Sequence, residues 1–561
     1  MNKEKIIYST HHQGQVVVSA LKHYGVKRVV VSSGSRNAPL VLSVTSDDYF
    51  KCYSVIDERS AAFFAMGMAK EEGVPVALMC TSGSAVLNYY PAVAEAYYSR
   101  VPLIVISADR PASMIDKGMG QTIRQEGVMA LHCSYSTSLR EGKEDVSYNV
   151  KECSRAIQEA INSLSPVHIN VPFAEPLYNA TCDAVEFVFD NLENVCNEDV
   201  AIDADIVEKW QKARCPMVVC GVRNRDEKLE KTLNALYEEY GVITLCENIS
   251  NLHGEHFIEN IDRVIVPLTD EEEQSLKPDF LISIGGMIVS KKIKSFLSSS
   301  PLLAHLHVNQ HTWPDTYGKL SHSVKCCDTD FLSELLKVKR EKVDYASRWV
   351  EKNIRSQKSH LKYTALAPYS DFYVWNTLSS HIPAGTHLEI ANSSSIRYSQ
   401  LFNFKEGITY WCNRGTSGID GCTSTAVGTA VLCDRSVTHI TGDLSFFYDS
   451  NALWNNHIPS TMRIIVMNNG GGGIFRILDG SRATDCCADF LEARHSLRAE
   501  HIAKMYDIDY MAVNEEKTLG EALSVFWKEG SRPRMIEVFT PRDDNDTILR
   551  DYFKFLIRDK E

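Results

Sequence analysis

No uninterrupted apolar run in this sequence is long enough to cross a bilayer, so no helical membrane anchor is expected. There is no basic surplus either. The formal net charge is −13, and a chain with that balance cannot neutralise a polyanion, so nucleic acid is not expected as a partner. A small anion is still possible, because a few Arg and Lys residues can reverse the field inside one cleft. The first ten residues hold no secretory apolar segment, which makes a cytoplasmic location the expectation. None of the 16 Cys lies in a C-x-x-C pair, and the adjacent pairs Cys326-Cys327 and Cys486-Cys487 lack zinc spacing. Reduced, mostly buried thiols are expected. His253-Gly254-Glu255-His256 does not have the spacing of a helical metalloprotease motif. No short-period repeat is present.

What is present is an ordinary globular composition, 44% apolar and 23% charged, over 561 residues. Apolar strand patterns alternate with helical ones throughout. Val29–Val31, Val76–Cys80 and Leu103–Ser107 read as strands, with a helix from Glu58 to Glu72 between the first two. Met217–Cys220, Phe280–Ile284 and Ala304–Val308 form a second set, and Val437–Thr441, Ile464–Met467 and Met535–Phe539 a third. Strands this apolar, separated by helices, imply parallel sheets covered on both faces. The expected fold class is therefore α/β with three domains, each a parallel sheet flanked by helices: 1–185, 200–340 and 350–561. An acidic stretch near 190–205 is expected as a linker, and a connecting helix around 337–352.

The segment with the most chemistry starts at Gly442-Asp443-Leu444 and ends at Asn468-Asn469-Gly470-Gly471. Asp443 follows a strand, where α/β sheets place ligands, and Asn469 directly follows the next one. One helix over 450–456 would bring the two strand ends together. Mg²⁺ takes about six oxygen ligands, commonly including phosphate oxygens. The Asp443 carboxylate, the Asn469 amide oxygen and the Gly471 carbonyl would supply three. The glycines at 470–473 allow close backbone approach. The competing reading is a glycine turn, with Asp443 capping the following helix.

This segment resembles the thiamine-diphosphate fingerprint, in which Gly-Asp is followed about 25 residues later by Asn-Asn. Leu444 stands where Gly is usual. That departure is similar to one branch of the family, the menaquinone-pathway synthases that make 2-succinyl-5-enolpyruvyl-6-hydroxy-3-cyclohexene-1-carboxylate. The resemblance implies the three-domain thiamine-diphosphate-enzyme architecture: an N-terminal pyrimidine-binding domain, a central domain and a C-terminal diphosphate-binding domain. It implies thiamine diphosphate with Mg²⁺ or Mn²⁺ as cofactors. Glu58 matches the Glu that contacts the aminopyrimidine ring and favours loss of the thiazolium proton. Burial against an apolar wall would raise its pKa, as such a role needs. A first-turn Glu favoured by the helix dipole is the alternative. Ile419, in Asn413-Arg414-Gly415-Thr416-Ser417-Gly418-Ile419, resembles the apolar prop that bends the cofactor. Ser82, Gly83, Leu444, Ser445, Gly472 and Ile474 complete the implied cofactor contacts.

The resemblance also carries a substrate pocket. Ser35, Arg36, Arg110, Gln121, Arg397 and Arg414 match the synthase pattern, and Lys291-Lys292 resembles its basic pair. Guanidinium forks suit carboxylates, and both implied substrates, 2-oxoglutarate and isochorismate, are dicarboxylates. Ser393 and Arg397 would hold the 2-oxoglutarate tail. Arg36, Arg110, Gln121 and Lys292 would face isochorismate, with Ile474 and Phe475 on its apolar side. Glu58, Gln121 and Arg397 are the expected catalytic residues. The alternative for the cations is structural pairing with nearby acids. Members of the family are homodimers or tetramers with the cofactor between subunits. Two rivals stay open: another 2-oxoacid decarboxylase or acetolactate-type synthase, and a non-catalytic cofactor sensor.

Overall fold

The computed structural model describes residues 6–192, 200–477 and 479–559. Part of the expected linker, 193–199, lies outside these. Three parallel sheets organise the chain. The first uses β1 (Arg28–Val31), β2 (Lys51–Ser54), β3 (Val76–Cys80), β4 (Leu103–Asp109), β5 (Tyr135–Ser138) and β6 (Val167–Pro172), in the order β2-β1-β3-β4-β6-β5. The middle one uses β7 (Pro216–Cys220), β8 (Ile243–Cys246), β9 (Phe280–Ile284), β10 (Ala304–Val308) and β11 (His322–Val324), in the order β8-β7-β9-β10-β11. The third uses β12 (His387–Ile390), β13 (Thr409–Trp411), β14 (Val437–Gly442), β15 (Arg463–Asn468), β16 (Asp509–Val513) and β17 (Arg534–Phe539), in the order β13-β12-β14-β15-β17-β16.

The first and third sheets thus share one strand order, a duplication of topology. Central strands such as Val76–Cys80 and Phe280–Ile284 are buried along their whole length, as a sheet covered on both faces requires. One apolar cluster joins the first and third sheets, and four more fill the remaining faces.

Helix α1 (Glu58–Glu72) has the bounds the sequence implies. Asp57 caps it by accepting from the Ser60 amide at 3.2 Å, and Gly73 ends it in a left-handed turn (φ 70°). It packs against α5 (Cys422–Leu432) of the third sheet. Between them in sequence lie α2 (Lys291–Ser298), α3 (Tyr345–Thr364) and α4 (Ser394–Ser399). Two expectations need correction. The connecting helix begins at Tyr345 rather than near 337, because Tyr345, Ala346 and Trp349 supply the first buried stripe. The expected helix over 450–456 is instead α6 (Asp443–Tyr448) followed by the 3₁₀ turn Ser450–Leu453. Asp443 starts α6 because an acidic first turn suits the helix N-terminus.

The described cysteines are all free thiols. His256 stacks on Tyr237 (ring centroids 4.0 Å apart) and His253 lies 3.4 Å from Glu259, so the two do not converge on a metal. Among the described residues, no helix is long and apolar enough to cross a membrane.

Candidate active site

At the carboxyl ends of β14 and β15 the chain builds an oxygen-rich pocket. Asp443 Oδ2 accepts from the Gly470 and Gly471 amides at 2.8 and 3.0 Å, and Oδ1 from the Leu444 amide at 2.7 Å. Gly470 (φ 74°) and Gly471 (φ 151°) occupy backbone regions that side chains disfavour. A Cβ at 471 would also lie 2.7 Å from the Glu492 carbonyl. The glycine run is therefore required to fold back over Asp443. Asn469 donates from Nδ2 to Asp371 at 3.0 Å, which turns its carbonyl oxygen the other way. His495 Nε2 stands 3.3 Å from Asp443, buried and without a hydrogen-bond partner.

No group of three His, Cys, Asp or Glu side chains able to hold a metal occurs among the described residues. A divalent ion here must take amide and carbonyl oxygens beside one carboxylate, and more from its ligand. That donor set fits Mg²⁺ bound to a diphosphate better than a metal held by protein alone.

Beside this pocket lies the 413–421 loop. Asn392, just after β12, donates to the carbonyls of Asn413 (2.6 Å) and Gly418 (2.7 Å) and accepts from Arg414 Nη1 (2.8 Å). Ser445 donates to the Ile419 carbonyl at 2.7 Å, tying the loop to α6. Glu95, from the first domain and buried, grips the same loop. It accepts from the amides of Gly415 and Thr416, both at 2.6 Å, and from the Thr416 hydroxyl at 2.8 Å. Ser393 is held at φ 72°, the kind of strained backbone found at ligand sites.

Models of thiamine pyrophosphate enzymes match this chain twice: the N-terminal TPP binding domain over residues 11–128, and the C-terminal TPP binding domain over 392–538. A 2-succinyl-5-enolpyruvyl-6-hydroxy-3-cyclohexene-1-carboxylate synthase from Flavobacterium psychrophilum is 42% identical over 98% of this chain and 100% of its own length. The synthase of Flavobacterium johnsoniae is 43% identical with the same coverage, and that of Porphyromonas gingivalis 36% over 98% of each chain. The chain belongs to this synthase family.

The arginines and lysines singled out from the sequence lie in two separate groups. In the first domain, Arg36 and Arg110 are near neighbours, and burial followed by Arg110 lowers the Arg36 pKa. Arg36 also donates to the Phe173 carbonyl (2.8 Å) and pairs with Glu175 (3.0 Å), so part of its charge has a structural partner. Ser35 and Gln121 are exposed, and Gln121 holds a left-handed backbone (φ 56°) facing Gly83. The Gly83 amide donates to Gln125 at 3.2 Å, and Ser82 Oγ is buried without a partner. Glu58 is half-buried here, its pKa raised by burial and lowered in part by Asn88 at 3.4 Å.

The second group lies between the middle and third domains. Asn248 donates to the Ser399 carbonyl (2.6 Å) and Asn251 to the Tyr410 carbonyl (3.0 Å), docking the middle domain at the end of α4. Arg397 and Arg414 lie close together, and burial, then Arg414, lowers the Arg397 pKa. Neither forms an ion pair with a described residue, and Arg414 Nε is buried without a partner. The expected pair Lys291-Lys292 is exposed at the start of α2. Lys294, one turn on, is half-buried near Arg414 and Arg397, its pKa lowered by burial and then by Arg414. Ile474 and Phe475 are half-buried on a short helix after the glycine run.

Sequence reading missed Glu95, Asp371 and Lys294. Only Lys294 left a signal, its three-residue spacing from Lys291 on one helix. Glu58 has no hydrogen bond or ion pair to Asp443, Asn469 or the glycine run among the described residues. It starts α1, whose first turn is fixed to the far end of α6: Arg59 donates to the Tyr448 carbonyl (2.7 Å) and Asp57 accepts from Asn451 (2.8 Å).

Proposed function

We propose that this protein is a carboligase of menaquinone biosynthesis. It decarboxylates 2-oxoglutarate and joins the remaining four-carbon unit to isochorismate, giving 2-succinyl-5-enolpyruvyl-6-hydroxy-3-cyclohexene-1-carboxylate. The observation that carries this reading, beyond family membership, is the close pair Arg397 (half-buried) and Arg414 (buried), beside the Asp443 pocket, neither of which forms an ion pair with a described residue. The carboxylates of Glu247 and Asp262 offset these charges only at a distance, because Glu247 accepts from the Val289 and Ser290 amides and Asp262 from the Ser290 hydroxyl, so a dicarboxylate can still pair with the guanidinium groups directly.

Thiamine diphosphate, when bound, supplies the electron sink for decarboxylation and the carbon nucleophile for the addition. Asp443, Asn469 and the Gly471 carbonyl would hold its Mg²⁺ or Mn²⁺. Leu444, Ser445, Gly472 and Ile474 would border the diphosphate, and Ile419 would prop the cofactor. Glu58, with Ser82 and Gly83, would meet the aminopyrimidine, where a carboxyl of raised pKa can share a proton with a ring nitrogen. Ser393, Arg397 and Arg414 would orient the 2-oxoglutarate tail. Ser35, Arg36, Arg110, Gln121, Lys291 and Lys292 would orient isochorismate, with Ile474 and Phe475 against its ring.

Within one chain, Glu58 and the Asp443 pocket belong to separate groups. This supports a homodimer, or a tetramer built from it, in which a second copy completes each site. The test is product mass spectrometry with 2-oxoglutarate, isochorismate, thiamine diphosphate and Mg²⁺, each omitted in turn. An adduct that requires all four is expected. CO₂ release without an adduct would favour a simple decarboxylase, and cofactor binding without any reaction would favour a sensor.

Arg397→Ala is expected to raise the KM for 2-oxoglutarate by about 10- to 100-fold, the equivalent of one charge-assisted hydrogen bond. The KM for isochorismate should stay within about threefold. Steady-state kinetics with each substrate varied checks this, and an equal rise in both constants would move Arg397 out of the donor site.

A further inference from the structure

We propose that Asp371 is a positioning residue for the cation site: it fixes the Asn469 amide so that its carbonyl oxygen faces the metal. The inference rests on the reading of Asp443, Asn469 and Gly471 as ligands, and goes beyond it by naming what makes Asn469 one.

An amide side chain has two chemically opposite ends on one plane, and rotation by half a turn exchanges them. A metal tolerates only the oxygen. Something must therefore forbid the other orientation, and an ionised carboxylate does so because it can only accept. Asp371 Oδ2 accepts from Asn469 Nδ2 at 3.0 Å. Its own orientation is fixed in turn. Oδ1 accepts from the Thr540 hydroxyl at 2.6 Å, and the Asp371 amide donates to Asn545 Oδ1 at 2.8 Å. Asn545 donates to the same Thr540 hydroxyl at 3.2 Å. Thr540 follows β17, and its amide donates to the Asn468 carbonyl at 3.2 Å, one residue before the proposed ligand. The chain of bonds thus closes on the backbone that carries Asn469.

Asp371 is 4% exposed, so water does not compete for these bonds. Its residue opens the helix Asp371–His381, whose cap is already supplied by Ser370 accepting from the Tyr373 amide at 3.3 Å. The carboxylate is therefore not needed as the cap. A buried acid in a cavity wall shared with Asn469 has to be held by compensating contacts, and those contacts all lead to the ligand. Partners of metal ligands of this kind change metal affinity by about 10- to 100-fold when removed.

Mn²⁺ binding to the full chain with thiamine diphosphate, followed by electron paramagnetic resonance, tests this without relying on turnover. Asp371→Asn keeps the shape but lets the Asn469 amide flip. It is expected to weaken Mn²⁺ binding by about 10- to 100-fold. The exchange Asp371→Asn with Asn469→Asp conserves charge. It puts a carboxylate at 469, where either oxygen can face the cation, and an amide donor at 371. It is expected to recover most of the lost affinity. Wild-type Mn²⁺ affinity in Asp371→Asn overturns the proposal. So does an exchange variant that folds with a normal melting temperature yet binds no better than the single variant. A wild-type protein that binds no Mn²⁺ alongside thiamine diphosphate would instead overturn the ligand reading itself.

Discussion

Glu58→Gln is expected to leave thiamine diphosphate bound and to lower turnover by about 10²- to 10⁴-fold, the range of a lost general acid or base. The two side chains are nearly isosteric, so α1 keeps its first turn and Asn88 keeps a partner at this position. Asp57, not Glu58, supplies the cap, and the helix start does not depend on the substituted group. What is lost is a proton-sharing carboxyl. Burial raises the Glu58 pKa, which brings it closer to a ring nitrogen in proton affinity than an exposed Glu would be. Calorimetric titration of the cofactor and steady-state product formation are the paired measurements. Turnover within about tenfold of wild type would remove Glu58 from the chemistry. A wild type without turnover, and a variant that binds equally well, would point to a sensor.

How much of this was legible follows from how far apart the interacting residues lie. α1 could be read to the residue, because its cap, its apolar stripe and its terminating Gly73 are all local. The Asp443–Asn469 pocket could be read because two successive strands place both residues at carboxyl ends that the sheet brings together. Glu95 and Asp371 could not. Glu95 acts on amides 320 and 321 positions away and Asp371 on Asn469 98 positions away, and no local pattern marks either. The charged run before Tyr345 suits a helix in composition but lacks the apolar stripe that seats one, so the connecting helix starts only at Tyr345. The shared strand order of the first and third sheets was likewise invisible, since equivalent strands need share only apolar character and not residues.

The same two domains meet where backbone touches backbone, and there the largest effect on stability is expected. α1 and α5 cross at glycines. A Cβ at Gly67 would lie 2.1 Å from the Thr425 carbonyl oxygen, and one at Gly428 would lie 2.0 Å from that of Phe64. In both cases the obstacle is main chain, which cannot rotate aside. Gly67→Ala and Gly428→Ala must therefore push the helices apart, at a cost of about 1–3 kcal/mol each for overpacking, or more. That corresponds to a fall in melting temperature of roughly 2–4 °C per kcal/mol for a domain of this size. Gly520→Ala is the control. It lies in the helix Glu516–Phe526 with nothing within 4 Å of the new methyl group. It should gain up to about 1 kcal/mol from helix propensity. Calorimetric melting of the three variants decides the matter, and a Gly428→Ala protein as stable as wild type would sink the idea. The crossing also bears on catalysis. α1 begins at Glu58, and α5 begins directly after the loop that carries Arg414 and Ile419. Separating the helices moves both ends at once, so the glycine variants should lose turnover even at temperatures where they remain folded.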